Sequence, residues 1–129
     1  MSFVWASKKP NEGIATFYET NITLNKSASM HFDHAYSVLL GIDHDLKRVA
    51  VKPVTKQEIE RGAIPEEKRH KISLRPSYAR VSNKRFMQEV AVMLGLTLKD
   101  SAALKVRTEW SLEDKALIID LKQLEGGNV

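Results

Sequence analysis

The phrase VLLGIDHDLKRVAVKP, Val38 to Pro53, and the phrase VRTEWSLEDKALIIDL, Val106 to Leu121, align without a gap at a constant offset of 68. In both, the apolar alternation stops at a tip of small and acidic residues, DHDLK in one and SLEDK in the other. Short side chains of this kind bond nearby backbone groups and favour turns, so each phrase predicts two antiparallel strands joined by a tight connection. A chain that writes one amphipathic hairpin twice has two apolar sheet faces to bury, and one hydrophobic core must serve both.

A second pair of phrases lies upstream. ITLNKSASMHFDHAY from Ile22 and ISLRPSYARVSNKRF from Ile72 align at an offset of 50. The change of offset is an insertion of 18 residues, Met87 to Leu104, present in the second copy alone. Around it the sequence predicts a helix near 83–94: Ser82 or Asn83 caps it, Phe86, Val90, Met93 and Leu94 recur at helical spacing, and Gly95 stops it. The second copy, 72–121, reads strand, turn, strand, helix, strand, turn, strand. The first copy, 22–53, replaces its helix with one tight bend at Asp33 to Tyr36. Between them, 54–71 reads as a short helix and connector, with Thr55 and Glu58 at capping-box spacing and Gly62 and Pro65 as punctuation. The expectation is one α+β domain over 1–129 with an approximate internal two-fold, neither half being stable alone.

Composition fits that size and class. With 129 residues, 43% hydrophobic and 28% charged, the chain has material for a single core. The absence of cysteine excludes disulfides, thiol nucleophiles and zinc–thiolate sites, and suits a reducing compartment. MSFVWASKKPNEG has too few apolar residues before Lys8 and Lys9 for a signal peptide, and no run has the length of a membrane span, so a cytoplasmic location is expected.

Charge is distributed unevenly. Residues 1–60 carry seven Lys/Arg against seven Asp/Glu, residues 61–90 eight against three, and residues 91–129 five against six. The net charge of +4 therefore comes from the middle of the chain. A local cationic surplus attracts phosphate or acidic surfaces.

The stretch ARVSNKRFMQEVAVMLGLTLKDSAALKVRTEWSLEDKALIIDLK, Ala79 to Lys122, resembles the AbrB-type swapped-hairpin domains of bacterial transition-state regulators and antitoxins. The resemblance lies in Arg80–Val81 entering a strand, Leu94–Gly95–Leu96 ending a short helix, the Lys99–Asp100 step and the closing hairpin. It implies a basic, homodimeric transcriptional regulator that binds duplex DNA through arginines at the start of the domain and at the helix entrance. The matching positions are Arg80 and Arg85, with Arg75 and Lys84 as neighbours, and all four fall in the basic third of the chain.

Metal chemistry is the competing reading of HFDHAYSVLLGIDHD. His31, Asp33 and His34 are its candidate ligands, with Asp43, His44 and Asp45 as a second group. If Met30 to Asp33 is extended, the two groups stand roughly 15 Å apart at opposite ends of a strand. The aligned turn Ser111–Leu112–Glu113 moreover forms without histidine. No P-loop, Gly-x-Gly-x-x-Gly or Gly-x-Ser-x-Gly is present, and Ser77 and Ser82 lack an obvious base, so the expectation is a non-enzyme without cofactor. Tyr78 reads as packing rather than base stacking.

The hairpins differ in one respect that points to a second class of function, a non-catalytic protein-interaction or assembly module. Lys105, Arg107 and Glu109 give the later strand a wet face, whereas Leu39 and Gly41 leave the earlier one apolar on both faces. That strand needs a cover, for which the sequence offers the helix, the FVW of Phe3 to Trp5, or a second subunit.

Overall fold

The computed structural model describes residues 12–126. Eight strands form one antiparallel sheet: β1 (Ile14–Phe17), β2 (Asn21–Asn25), β3 (Ser37–Asp43), β4 (Arg48–Val54), β5 (Ser73–Leu74), β6 (Tyr78–Ser82), β7 (Leu104–Ser111) and β8 (Ala116–Asp120). Their order across the sheet is β3-β4-β8-β7-β1-β2-β6-β5. The sheet curls on itself. Just before β5, the N–H of His70 donates to the carbonyl of Val38 at 2.8 Å, and the Val38 N–H donates back at 2.9 Å, so the chain leading into one terminal strand is bonded to the other terminal strand.

Alternation decides which side of the curl each residue faces. Ala15 and Phe17 of β1, Ile22 and Leu24 of β2, Val49 and Val51 of β4, Ala79 and Val81 of β6, Val106 of β7 and Leu117 and Ile119 of β8 all point inward and are buried. These side chains form one continuous core. Three short helices, α1 (Lys26–Ser29), α2 (Lys56–Glu60) and α4 (Gln123–Gly126), and one longer helix, α3 (Lys84–Leu94), lie around the sheet. None of the described helices is long and apolar enough to cross a membrane.

The two hairpins carry the same local solution. Asp43 Oδ1 accepts from the Leu46 N–H at 3.0 Å in the β3–β4 turn, and Ser111 Oγ accepts from the Asp114 N–H at 3.1 Å in the β7–β8 turn. Each turn then ends on a lysine in the left-handed region, Lys47 at φ 53° and Lys115 at φ 52°. Ile42 pairs with Val49 in the one hairpin, and Trp110 with Leu117 in the other, so the registers also agree at the offset of 68.

Upstream the structure departs from the spacing of 50. Residues aligned by it do not form the same elements: α1 falls against Pro76–Ala79, where the chain turns and enters β6. The extended segment expected near Met30 is instead α1 followed by a 3₁₀ turn at Met30–Phe32. Asn25 explains the difference, since its Oδ1 accepts the Ala28 N–H at 3.0 Å and caps a helix, after which Ala28 and Phe32, four residues apart, are buried on one face. β1, which precedes both aligned phrases, is a full member of the sheet, and β5 is only two residues long.

α3 also straddles the expected insertion boundary at Met87. Asn83 Oδ1 caps it by accepting the Phe86 N–H at 2.9 Å, and Gly95 ends it in the left-handed region at φ 67°. Phe86, Met87 and Val90 are its buried face, so the helix fills the core and does not cover the outside of β3. Phe3 to Trp5 lie outside the described residues.

Candidate nucleic-acid interface

The register of the sheet places residues from five strands in one row on its outer face. Ser73 of β5 pairs with Arg80 of β6, Arg80 with Thr23 of β2, Thr23 with Thr16 of β1, and Thr16 with Lys105 of β7. Directly paired residues share a face, so two cations flank two hydroxyls. Three strand spacings separate Arg80 from Lys105, about 14 Å. One row along, Arg75, whose N–H donates to the Tyr78 carbonyl at 2.9 Å, faces Tyr78; Tyr78 pairs with Asn25, and Arg107 pairs with Ile14.

Arg80 lies against its neighbour Tyr78. Its guanidinium carbon lies 5.4 Å from the centre of the Tyr78 ring, within cation–π range. Arg80 is exposed, so its guanidinium donors remain accessible from outside the sheet. Tyr78 is thus half-buried packing with a second task.

β6 runs through Ser82 and Asn83 directly into α3, whose first turn holds Lys84 and Arg85 and no acidic residue. A helix N-terminus favours negative charge, so two cations there gain nothing from the backbone dipole. Among the described residues, Arg75, Arg80, Lys84 and Arg85 make no ion pair, and all four are exposed. The opposite end of the row is partly neutralised: Arg107 approaches Glu12 at 3.8 Å and bonds Gln123 Oε1 through Nε at 3.3 Å.

The four residues picked out in the sequence therefore group around β6 and its exit, Arg75 and Arg80 on the sheet and Lys84 and Arg85 on the helix. Lys105 and Arg107 were not among them. Their alternation with Val106 and Thr108 signals an exposed face, but the β1–β7 pairing that carries them to within three strands of Arg80 is a long-range contact without a local signature.

The histidines behave differently. His31 stacks on Trp110 with ring centres 4.5 Å apart and planes 2° from parallel, and Phe32 meets the same indole edge-on at 6.5 Å. Asp33 and His34 are exposed in the turn that follows. Asp43 Oδ2 accepts from Arg48 at 3.1 Å, and its carboxyl is held below the usual carboxylate range first by the Leu46 N–H and then by Arg48. Among the described residues no three His, Cys, Asp or Glu side chains converge as a metal site.

A groove of about 780 Å³ opens on the surface of β3, β4 and β8. Its floor is the outer face of β3, β4 and β8, including Leu39, Gly41, Ala50 and Ile118, and one wall is the segment Glu67, Lys68 and His70. The doubly apolar strand is therefore open on its outer face among the described residues.

Compared with protein-family models, curated proteins and solved structures, the chain matches none of them.

The His31–Trp110 stack generates a pH prediction. Burial holds the imidazole below the ordinary histidine value, so the folded state favours its neutral form. The stack's contribution to stability is present above the ordinary histidine value and is lost as pH falls through the lowered one. In a Trp5→Phe background, Trp110 emission should titrate below the range of a free histidine, and His31→Gln should abolish the transition. A transition that survives in His31→Gln contradicts the assignment.

Proposed function

We propose that the chain is a DNA-binding regulator built as an internally duplicated swapped-hairpin domain of the AbrB type, with duplex DNA lying on the outer face of β5, β6, β2, β1 and β7. The observation that carries the binding reading is the row Arg80–Thr23–Thr16–Lys105, extended by Arg75, Lys84 and Arg85, none of which makes an ion pair among the described residues. Cations at about the width of a major groove, with hydroxyl donors between them, suit contacts to phosphates on the two sides of that groove.

Strand order supports the duplication, with revised boundaries. From β1 to β4 the chain runs hairpin, helix, hairpin, and from β5 to β8 it runs hairpin, helix, hairpin again. The second hairpins of the two halves meet through β4–β8, and the first hairpins through β2–β6. Each first hairpin meets the other half's second hairpin, through β1–β7 on one side and Val38–His70 on the other. Exchanging the halves leaves this cyclic order unchanged. The capping asparagines agree: Asn25 also bonds Glu12 O and the Ile14 N–H, and Asn83 also bonds His70, so each reaches back to the chain leading into its own hairpin. The repeats suggested by this order are 14–54 and 70–120 rather than 22–53 and 72–121. One chain would then hold the interleaved hairpins of the whole domain.

Replacing Arg80 and Arg85 together with alanine should leave the fold intact, weaken binding to all duplex sequences, and lower the slope of log affinity against log salt by roughly two, one for each lost phosphate contact. The check is a salt series of duplex titrations with wild type and double variant. Wild type without salt-dependent binding at micromolar protein refutes the proposal.

One observation favours the assembly module. The Val38 peptide faces His70, so by alternation the peptides of Leu40 and Ile42 face the same open edge, where no described strand follows. Gly41 between them has no positive φ, and a Cβ there would meet nothing closer than Ala50 Cβ at 3.7 Å. The fold does not demand that glycine, and its effect is to leave room for another backbone. In this reading a second copy pairs at β3 to form the homodimer. Sedimentation should then show self-association that persists in high salt and is lost in Ile42→Pro, which removes an outward N–H. A wild type that stays monomeric at every concentration excludes it.

A further inference from the structure

We infer that the cations contacting duplex DNA come from the second half of the chain alone, so that one copy of the chain binds a site without two-fold symmetry. The inference rests on the proposed DNA-binding reading and specifies its geometry.

Outward positions on equivalent strands differ sharply in charge. On β5, β6 and β7 they include Ser73, Arg80, Ser82, Lys105, Arg107 and Glu109, and Arg75 and Tyr78 close the β5–β6 hairpin on the same face. On β1, β2 and β3 the outward positions are Ile14, Thr16, Asn21, Thr23, Asn25, Leu39, Gly41 and Asp43. The second set contains no cation. In the central β2–β6 pair the basic residue comes from the second half, Arg80 standing opposite the uncharged Thr23. The helix starts repeat it: α3 opens with Lys84 and Arg85, α1 with Lys26 alone.

The first half does have outward cations on β4, but they are occupied. Arg48 pairs with Asp43 at 3.1 Å and lies across from Asp120, and Lys52 Nζ donates to the Asp114 carbonyl at 3.0 Å. They border the apolar groove floored by Leu39, Gly41, Ala50 and Ile118. Affinity from phosphate neutralisation therefore comes from one half, and the internal two-fold of the backbone is not imposed on the DNA.

The absence of cysteine makes the test clean, because one introduced thiol carries the only tether. Ser73→Cys places it beside Arg80 on β5, and Gly41→Cys places it on the outer face of β3, where a Cβ has room. Each variant, loaded with iron–EDTA, is mixed with an end-labelled 30-bp duplex of mixed sequence in low salt, and binding is followed separately by mobility shift. The expected result is a shift with both variants, strand cleavage from the Ser73→Cys tether, and cleavage from the Gly41→Cys tether no greater than from untethered reagent. Binding with equal cleavage from both tethers overturns the one-sided contact while leaving DNA binding standing. No shift with either variant or with wild type refutes DNA binding itself, and the inference with it. Selection from random duplexes supplies the second readout: a non-palindromic motif is expected, and a palindromic one contradicts the inference.

Discussion

The pairing of β1 with β7 ties the beginning of the described chain to its end, and both the core and the charged face depend on it. Through this ladder Ala15 and Phe17 meet Val106 on the inside, where all three are buried. The same ladder sets Thr16 against Lys105 on the outside and so completes the row that starts at Arg80. A strand slipped by one residue would turn Phe17 out and Lys105 in, so burial of the core and presentation of the cations are one constraint. The mirror contact at Val38 and His70 is thinner, a single bridge, because the chain before it turns through a 3₁₀ helix at Glu66–Lys68 instead of running on as a strand. That is why one side of the curl is sealed and the other has an open edge.

Local chemistry was legible in the sequence and long-range pairing was not. The two hairpins follow from alternation and from tips that bond their own backbone. The Thr55–Glu58 spacing forms both bonds of a capping box, and Asn83 and Gly95 bound α3, which spans 84–94. Asn25 shows what the sequence pattern hides: it ends β2 by capping a helix, so the Met30 to Asp33 stretch read as extended is a helical turn instead. β5 could not be read at all, since two residues give no period. Lys105 and Arg107 look like ordinary solvated strand positions until β1 brings them beside Arg80's row.

The surface divides along the chain as the charge does. Outward positions on β6 and β7 include Arg80, Lys105 and Arg107, whereas those on β3 include Leu39 and Gly41. The surface thus offers two features: a face on which Arg75, Arg80, Lys84 and Arg85 make no ion pair among the described residues, and a groove floored by Leu39, Gly41, Ala50 and Ile118. Unpaired surface cations add little to folding stability, and an open sheet edge is a liability for association, so neither feature serves the isolated fold.

The central claim is that each half's hairpins are stabilised by lying between those of the other. Cutting the chain within the connector tests it most directly. Fragments 1–62 and 63–129, prepared separately, should each lack a cooperative thermal transition by circular dichroism, because each exposes the sheet face that the other covers. Mixed at equal concentration they should regain strand signal and one cooperative transition whose midpoint rises with concentration. A cooperative transition in either fragment alone, independent of concentration, would contradict the account.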